Sequence, residues 1–195
     1  MIPLMKPIWD TLLRVRRSAR GLFGDIRGIA ATEFAIIVPV MLLLFFGTNE
    51  FASGIAVDRK VTLMARTLSD LTSQNTTVTD AQLTNFFNAS AAIMTPYSSS
   101  PVRSTITELY VDPATLAARV QWSKGSAPRT AGTSVAIPTA LQVGGTYLIY
   151  SEVSYTFVPT VGYVLKNSIT LSDFTFTRPR QSTCVMYSTT VCTTT

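Results

Sequence analysis

"DIRGIAATEFAIIVPVMLLLFFGTNEF" (residues 25–51) is the most apolar part of the chain, yet it carries Glu33 near its start. Arg27 and Glu50 bracket 22 residues, and Glu33 is the one ionisable side chain among them. Phe34 to Gly47 is an unbroken run of 14 residues without a charged or polar side chain. A membrane-spanning helix needs about 20 mostly apolar residues, whereas a run of about 10–14 alone would fit the core of a secretory signal. Ile29, Ala30 and Ala31 bring the segment to spanning length. A transmembrane helix over residues 29–48 is therefore the preferred reading. A cleaved secretory signal is the alternative, with Ala52-Ser53-Gly54 as a weak cleavage site. Pro39 falls inside the span, where it removes one backbone hydrogen bond and predicts a kink.

Glu33 is the costly residue. A carboxylate at the middle of a span costs about 2.5–3.5 kcal/mol on insertion scales. Near the start of the helix it costs less, because the N-terminal end of the helix dipole favours negative charge. Two readings follow. Glu33 either reaches the headgroup region, or it pairs with a cation that arises nearby.

Charge is spread unevenly. Lys6, Arg14, Arg16, Arg17, Arg20 and Arg27 face only Asp10 and Asp25 in the first 28 residues, which gives +4 of the chain's net +5. Basic residues flanking an apolar span stay on the cytoplasmic side, and that topological reading outweighs a nucleic-acid-binding arm. The remaining chain is nearly neutral. Overall, 14% of the 195 residues are charged and 47% are hydrophobic, against about 25% charged in ordinary soluble domains. This balance suits an anchored or exported protein. The chain has no histidine, which excludes Ser-His-Asp triads, Cys-His pairs and His-ligated metals.

Glu33 is the fifth residue after Gly28 if Ile29 is counted as the first. Gly28, Ile29-Ala30-Ala31-Thr32-Glu33-Phe34 and the apolar run behind a basic leader resemble a class III, prepilin-type signal. Arg27, Gly28, Glu33-Phe34-Ala35, Pro39, Gly47 and Glu50-Phe51 narrow this further. Over about residues 27–71 the chain resembles the TadE/TadG-like minor pseudopilins of the tight-adherence (Flp, type IVb) pilus system. Phe34 departs from the tyrosine common in the major pilins, which favours a minor subunit. The resemblance implies cleavage by a prepilin peptidase between Gly28 and Ile29, and pilus assembly in the service of cell adhesion. It implies a single-pass protein of the bacterial inner membrane, cytoplasmic at its N-terminus and periplasmic in its C-terminal domain, with entry into the extracellular pilus left open. The implied partners are other minor pilins, the major Flp pilin, the prepilin peptidase and the inner-membrane assembly platform. No nucleic acid is implied. Cleavage would create an ammonium on Ile29, one helical turn from Glu33, so the two could pair within or between chains.

Beyond the span, Val57, Val61, Met64, Leu68 and Leu71 recur at helical spacing and extend the helix as one apolar stripe. Asn75 to Thr79 breaks that pattern. Thr79 is a candidate N-cap for a second helix from Asp80 to about Met94, with Leu83, Phe86 and Phe87 apolar and Thr95-Pro96 as its end. From Ser98 onward Ser, Thr, Val and Tyr dominate. Strands are predicted at 105–111, 117–123, 147–158 and 169–177, with turns at Asp112-Pro113, Gly125 and Gly144-Gly145. Residues 124–138 read as an exposed loop. The expected fold is α+β and pilin-like: a long membrane-spanning helix running into an amphipathic one, a second helix, then a small antiparallel sheet with one covered face. The domain plan is a leader (1–28), a span (29–48), a helical part (49–95) and a β ectodomain (96–195).

Cys184 and Cys192 lie eight apart near the C-terminus. In an extracytoplasmic domain the pair suggests a disulfide that ties down the tail, with two free thiols as the alternative. Their spacing is not that of a Cys-x-x-Cys redox site. Asp58, Asp70, Asp80, Glu108, Asp112, Glu152 and Asp173 show no catalytic or metal-ligand spacing. Neither an enzymatic activity nor a cofactor or metal is expected. The competing function is an uncleaved, membrane-anchored periplasmic binding or sensory domain, which a ligand-sized pocket in the sheet would favour.

Overall fold

The computed structural model describes residues 27–159 and 167–192. The basic leader up to residue 26 lies outside the described residues. The chain divides into two units, one ending at Thr48 and the other running from Asn49 to Thr195.

Helix α1 (Arg27–Ser73) is 47 residues long and contains Pro39. Its first part is apolar all round. From Ile29 to Phe45 every large apolar side chain except Val38 is exposed, which is the pattern of a helix solvated by lipid rather than by a protein core. It is the one described helix long and apolar enough to cross a membrane. Past Asn49 the pattern becomes amphipathic. Val57, Val61, Met64 and Leu68 are fully buried, as their spacing predicts, and Leu71 is half-buried.

The second unit forms around that stripe. After β1 (Thr77–Val78) comes α2 (Asp80–Ala91), extended by a 3-10 turn at Ala92–Met94. Thr79 caps α2 as expected. The Gln82 amide donates to Thr79 Oγ1 (3.3 Å), and the Thr79 amide donates back to Gln82 Oε1 (3.0 Å), a reciprocal capping box. Lys60 on α1 donates to the carbonyls of Ile93 and Thr95, both at 2.8 Å, so α1 also caps the C-terminal end of this helix.

A five-stranded antiparallel sheet follows, built from β2 (Val102–Val111), β3 (Ala118–Gly125), β4 (Ser134–Val135), β5 (Tyr147–Phe157) and β6 (Ile169–Thr177), in the order β4-β3-β2-β5-β6. The α+β expectation holds: long apolar helix, short second helix, antiparallel sheet. β6 coincides with its predicted span, and the other long strands differ by one to three residues at their ends. One face of the sheet packs on α1 and α2 through Ile106, Trp122, Ile149, Val153, Tyr155 and Phe157.

Two features differ from expectation. Part of the opposite face is also covered. Leu109, Val111, Val120, Leu148 and Tyr150 form a second cluster there with Ile137, Val135 and Leu141; most of 124–138 is exposed as expected, but Ile137 folds onto the sheet and residues 134–135 add β4. The second difference is a two-residue parallel pairing of β1 with β7 (Met186–Tyr187). These short strands carry too few residues for an alternation signal.

A bulge sits between Glu108 and Leu109, where Glu108 pairs with Trp122 but Leu109 pairs with Val120. The extra residue re-aims β3. Trp122 thereby joins the helix-facing core while Val120 joins the other. Gly125 ends β3, opposite Thr105 at the open end of the hairpin, at φ +134°, where a Cβ would lie 2.2 Å from the Ser104 carbonyl oxygen, a position that excludes any side chain.

Candidate functional site

The anchor start is uncovered. Gly28 lies in the first turn of α1, and a Cβ built there meets nothing within 4 Å. Ile29 and Glu33 are exposed, and Phe34 is 69% exposed. Residues 29 and 33 are one turn apart, hence on the same side of the helix. Thr32 Oγ1 donates to the Ile29 carbonyl (2.8 Å), which holds the turn between them. Gly28, Ile29, Glu33 and Phe34 are thus together on one short, unobstructed helical segment. Pro39 follows on the same helix.

Residues 28–68 match the TadE-like protein family. The TadE-like segment starts at Gly28 and takes in Glu33, Phe34, Pro39, Glu50 and the buried stripe up to Leu68. It covers the apolar anchor and most of the amphipathic extension, and it leaves the second helix and the sheet outside. No curated protein and no solved structure matches the chain. The match is consistent with a protein of the Tad pilus system, and the apolar helix it includes is consistent with a membrane anchor.

Outside the TadE-like segment lies a buried carboxyl, Glu108, which sequence reasoning left among scattered carboxylates. It is 1% exposed on the helix-facing side of β2. Burial pushes its carboxyl up to about 8, against hydrogen bonds from the Val185 amide and Trp122 that pull it down. The Val185 amide donates to Glu108 Oε1 at 2.5 Å, and Trp122 Nε1 donates to the Val185 carbonyl at 2.7 Å. Both polar groups of one tail residue are therefore taken up by side chains of the sheet. Val185 itself is fully buried.

The rest of the tail is held from both sides. The Arg180 amide donates to the Ser73 carbonyl (2.9 Å), Met186 to Thr76 (3.0 Å) and Ser188 to Val78 (2.8 Å). Arg180 also pairs with Asp70 at 2.6 Å. Cys184 and Cys192 lie beside Tyr110 and Tyr147, with Cα atoms 6.3 Å apart, a separation that disulfides span. Lys124 lies 4.5 Å from the centre of the Tyr187 ring and 3.4 Å from Asp80.

The other face of the sheet carries an open groove of about 300 Å³ bordered by Arg103, Arg129, Glu152 and Phe174. Arg129 is engaged there: it forms a forked pair with Glu152, one arm at 2.8 Å, and lies over the Tyr150 ring. Tyr150 also donates to Glu152 (2.9 Å), and burial together with that partner pushes its hydroxyl up to about 12. Among the described residues, no group of His, Cys, Asp and Glu side chains is placed to hold a metal ion.

Proposed function

We propose that the protein is a minor pseudopilin of a tight-adherence type IVb (Flp) pilus, trimmed by a prepilin peptidase between Gly28 and Ile29. The observation that carries this reading is the combination at the start of the TadE-like segment: a bare glycine, a carboxylate one turn beyond the next residue, and an apolar helix with its side chains exposed.

Each part has a physical role. A peptidase must bring the backbone of the cleaved bond against its own groups, and Gly28 presents no side chain to obstruct that approach. Trimming creates an ammonium on Ile29. That charge enters apolar surroundings with the helix, and Glu33 supplies its partner within the chain or from a neighbour. The exposed helix packs first among lipids and then among the helices of other pilins. The ectodomain, its tail tied by a Cys184–Cys192 disulfide, projects into the periplasm and contacts other minor pilins.

The test is N-terminal sequencing of the membrane-extracted protein, alongside co-purification with the major pilin and the assembly platform. A chain beginning at Ile29 that co-purifies supports the reading. An untrimmed chain with no pilus partners favours the uncleaved sensory domain, for which the groove beside Glu152 is the supporting observation.

A further inference from the structure

The second unit has an apolar end built from two elements distant in sequence. Phe51 and Ile55 on α1 lie beside Phe157, Ile169 and Leu171 from the β5–β6 end of the sheet, around a shallow, mostly apolar depression of about 220 Å³ that the buried Glu50 and, at its rim, Asp58 also border. Gly54 permits this approach, since a Cβ there would lie 3.9 Å from the Phe157 ring. Phe157 pairs with Ile169 across the two strands, which fixes both at the same level. Phe51 is 68% exposed and the neighbouring Val158 67%, with Ile55 and Ile169 also exposed. Four large apolar side chains are thus turned outward around this depression, while Leu63, Leu116, Val143, Phe174 and Val191 are exposed elsewhere in the unit. Such a patch marks a contact surface.

Chain connectivity identifies what covers it. Phe51 is four residues beyond Gly47, where the apolar run ends. Four residues span at most about 14 Å even when fully extended, and about 6 Å as helix. The headgroup layer outside each side of the hydrocarbon core is roughly 5–8 Å thick. Phe51 therefore cannot leave the neighbourhood of the bilayer surface, and the residues packed around it are held there with it. Polarity changes in the matching direction along α1. Phe51 and Ile55 are apolar, whereas Asp58, Arg59 and Lys60, one to two turns further on, are charged. A surface that is apolar nearest the span and charged above it fits a lipid interface, into which apolar faces sink by about 5–10 Å.

We infer that the Phe51, Ile55, Phe157, Val158 and Ile169 end of the ectodomain docks on the outer leaflet of the membrane that α1 spans, so that the sheet is seated on lipid as well as tethered to it. The inference rests on the membrane anchor and on the outward orientation of the second unit, and is independent of any role in a pilus.

The test uses the full chain in nanodiscs of phosphatidylethanolamine and phosphatidylglycerol, one copy per disc. Nitroxide labels are placed singly by Val158→Cys, Ile169→Cys, Thr130→Cys and Leu43→Cys, and accessibility to oxygen is compared with accessibility to a soluble nickel chelate. Leu43 reports the span itself, so a failed anchor is recognised separately. Thr130 is exposed in a loop on the sheet's other side. The oxygen-to-nickel ratio should be several-fold higher at positions 158 and 169 than at 130, and Phe51→Ser with Ile55→Ser should bring position 158 down towards the position 130 value. Ratios at 158 and 169 equal to that at 130, while Leu43→Cys reads as lipid-embedded, overturn the inference. So does a ratio that rises only in discs carrying two copies, which would assign the patch to a second chain, or one unchanged by the double serine variant.

Discussion

Replacing Glu108 by glutamine should remove most of the stability loss that the ectodomain suffers between acidic and mildly alkaline pH. Glu108 is buried on the sheet and accepts the Val185 amide. Its carboxyl titrates at about 8 in the folded protein, against 4.5 when solvated. Between those values the folded state binds the proton and the unfolded state does not. The stabilisation is therefore fully present below about pH 4.5, falls as pH rises, and is lost above about pH 8. At about 1.4 kcal/mol per pH unit, the whole window corresponds to roughly 5 kcal/mol. Glu108→Gln keeps the shape and an oxygen that accepts from Val185, but carries no charge at any pH. It should match the wild type near pH 5 and exceed it by several kcal/mol at pH 8. The assay is urea unfolding of detergent-solubilised chain at pH 5, 6.5 and 8, followed by Trp122 fluorescence in a Trp9→Phe background, where Trp122 is the sole tryptophan. Trp122 binds the Val185 carbonyl, so it reports the tail directly. An identical pH slope in wild type and Glu108→Gln would refute the reasoning.

The proposed processing and assembly steps separate by mutation. Gly28→Val places a branched side chain at the cleaved bond and should leave a full-length precursor on a gel, whereas trimming at residue 28 in that variant would count against the assigned site. Glu33→Ala should be trimmed normally but co-purify poorly with other pilins, because an unpaired buried ammonium costs about 3–5 kcal/mol; wild-type recovery would remove the pairing role. The intact mass should be two hydrogens below that of the reduced chain, and Cys184→Ser should weaken the tail by about 2–3 kcal/mol at most, read as faster amide exchange confined to residues 184–192; ready thiol labelling without reductant would contradict the disulfide. Deleting the protein from its host should reduce surface pili while leaving major pilin levels largely intact, and undiminished piliation would favour the sensory alternative.

What was legible in the sequence was local. The span announces itself through an unbroken apolar run, the amphipathic extension through Val57, Val61, Met64 and Leu68, and the second helix through Thr79 and Gln82. Each signal lies within one or two helical turns. The strands were legible through alternation, because β5 and β6 are long enough to show it. The partial cover of the second face was not, since residues 124–138 contain few large apolar groups and the contribution of Ile137 depends on a segment folding back onto strands already formed. Glu108 was illegible for the same reason. In sequence it sits between Thr107 and Leu109 like any strand residue. Its burial depends on Val185, 77 residues away, and on a bulge that turns Trp122 to the same side.

That division follows from where the two halves of the chain meet their solvent. The TadE-like segment carries its signals in consecutive residues: a bare Gly28, a carboxylate one turn past Ile29, and an apolar run of spanning length, which are the features the proposed trimming and anchoring would use. The ectodomain is constrained by its own packing, which many sequences satisfy, and the comparisons accordingly stop at Leu68. The tail makes the contrast concrete. β1 and β7 are two residues each and could not hold as a free ladder. They hold because Arg180 is fixed to Ser73 and Asp70, and because Glu108 and Trp122 take both polar groups of Val185. A buried carboxyl with a backbone donor costs desolvation, and neutralisation by a proton lowers that cost. The tail is accordingly fastened most firmly when Glu108 is protonated, and its grip weakens as the pH rises towards 8.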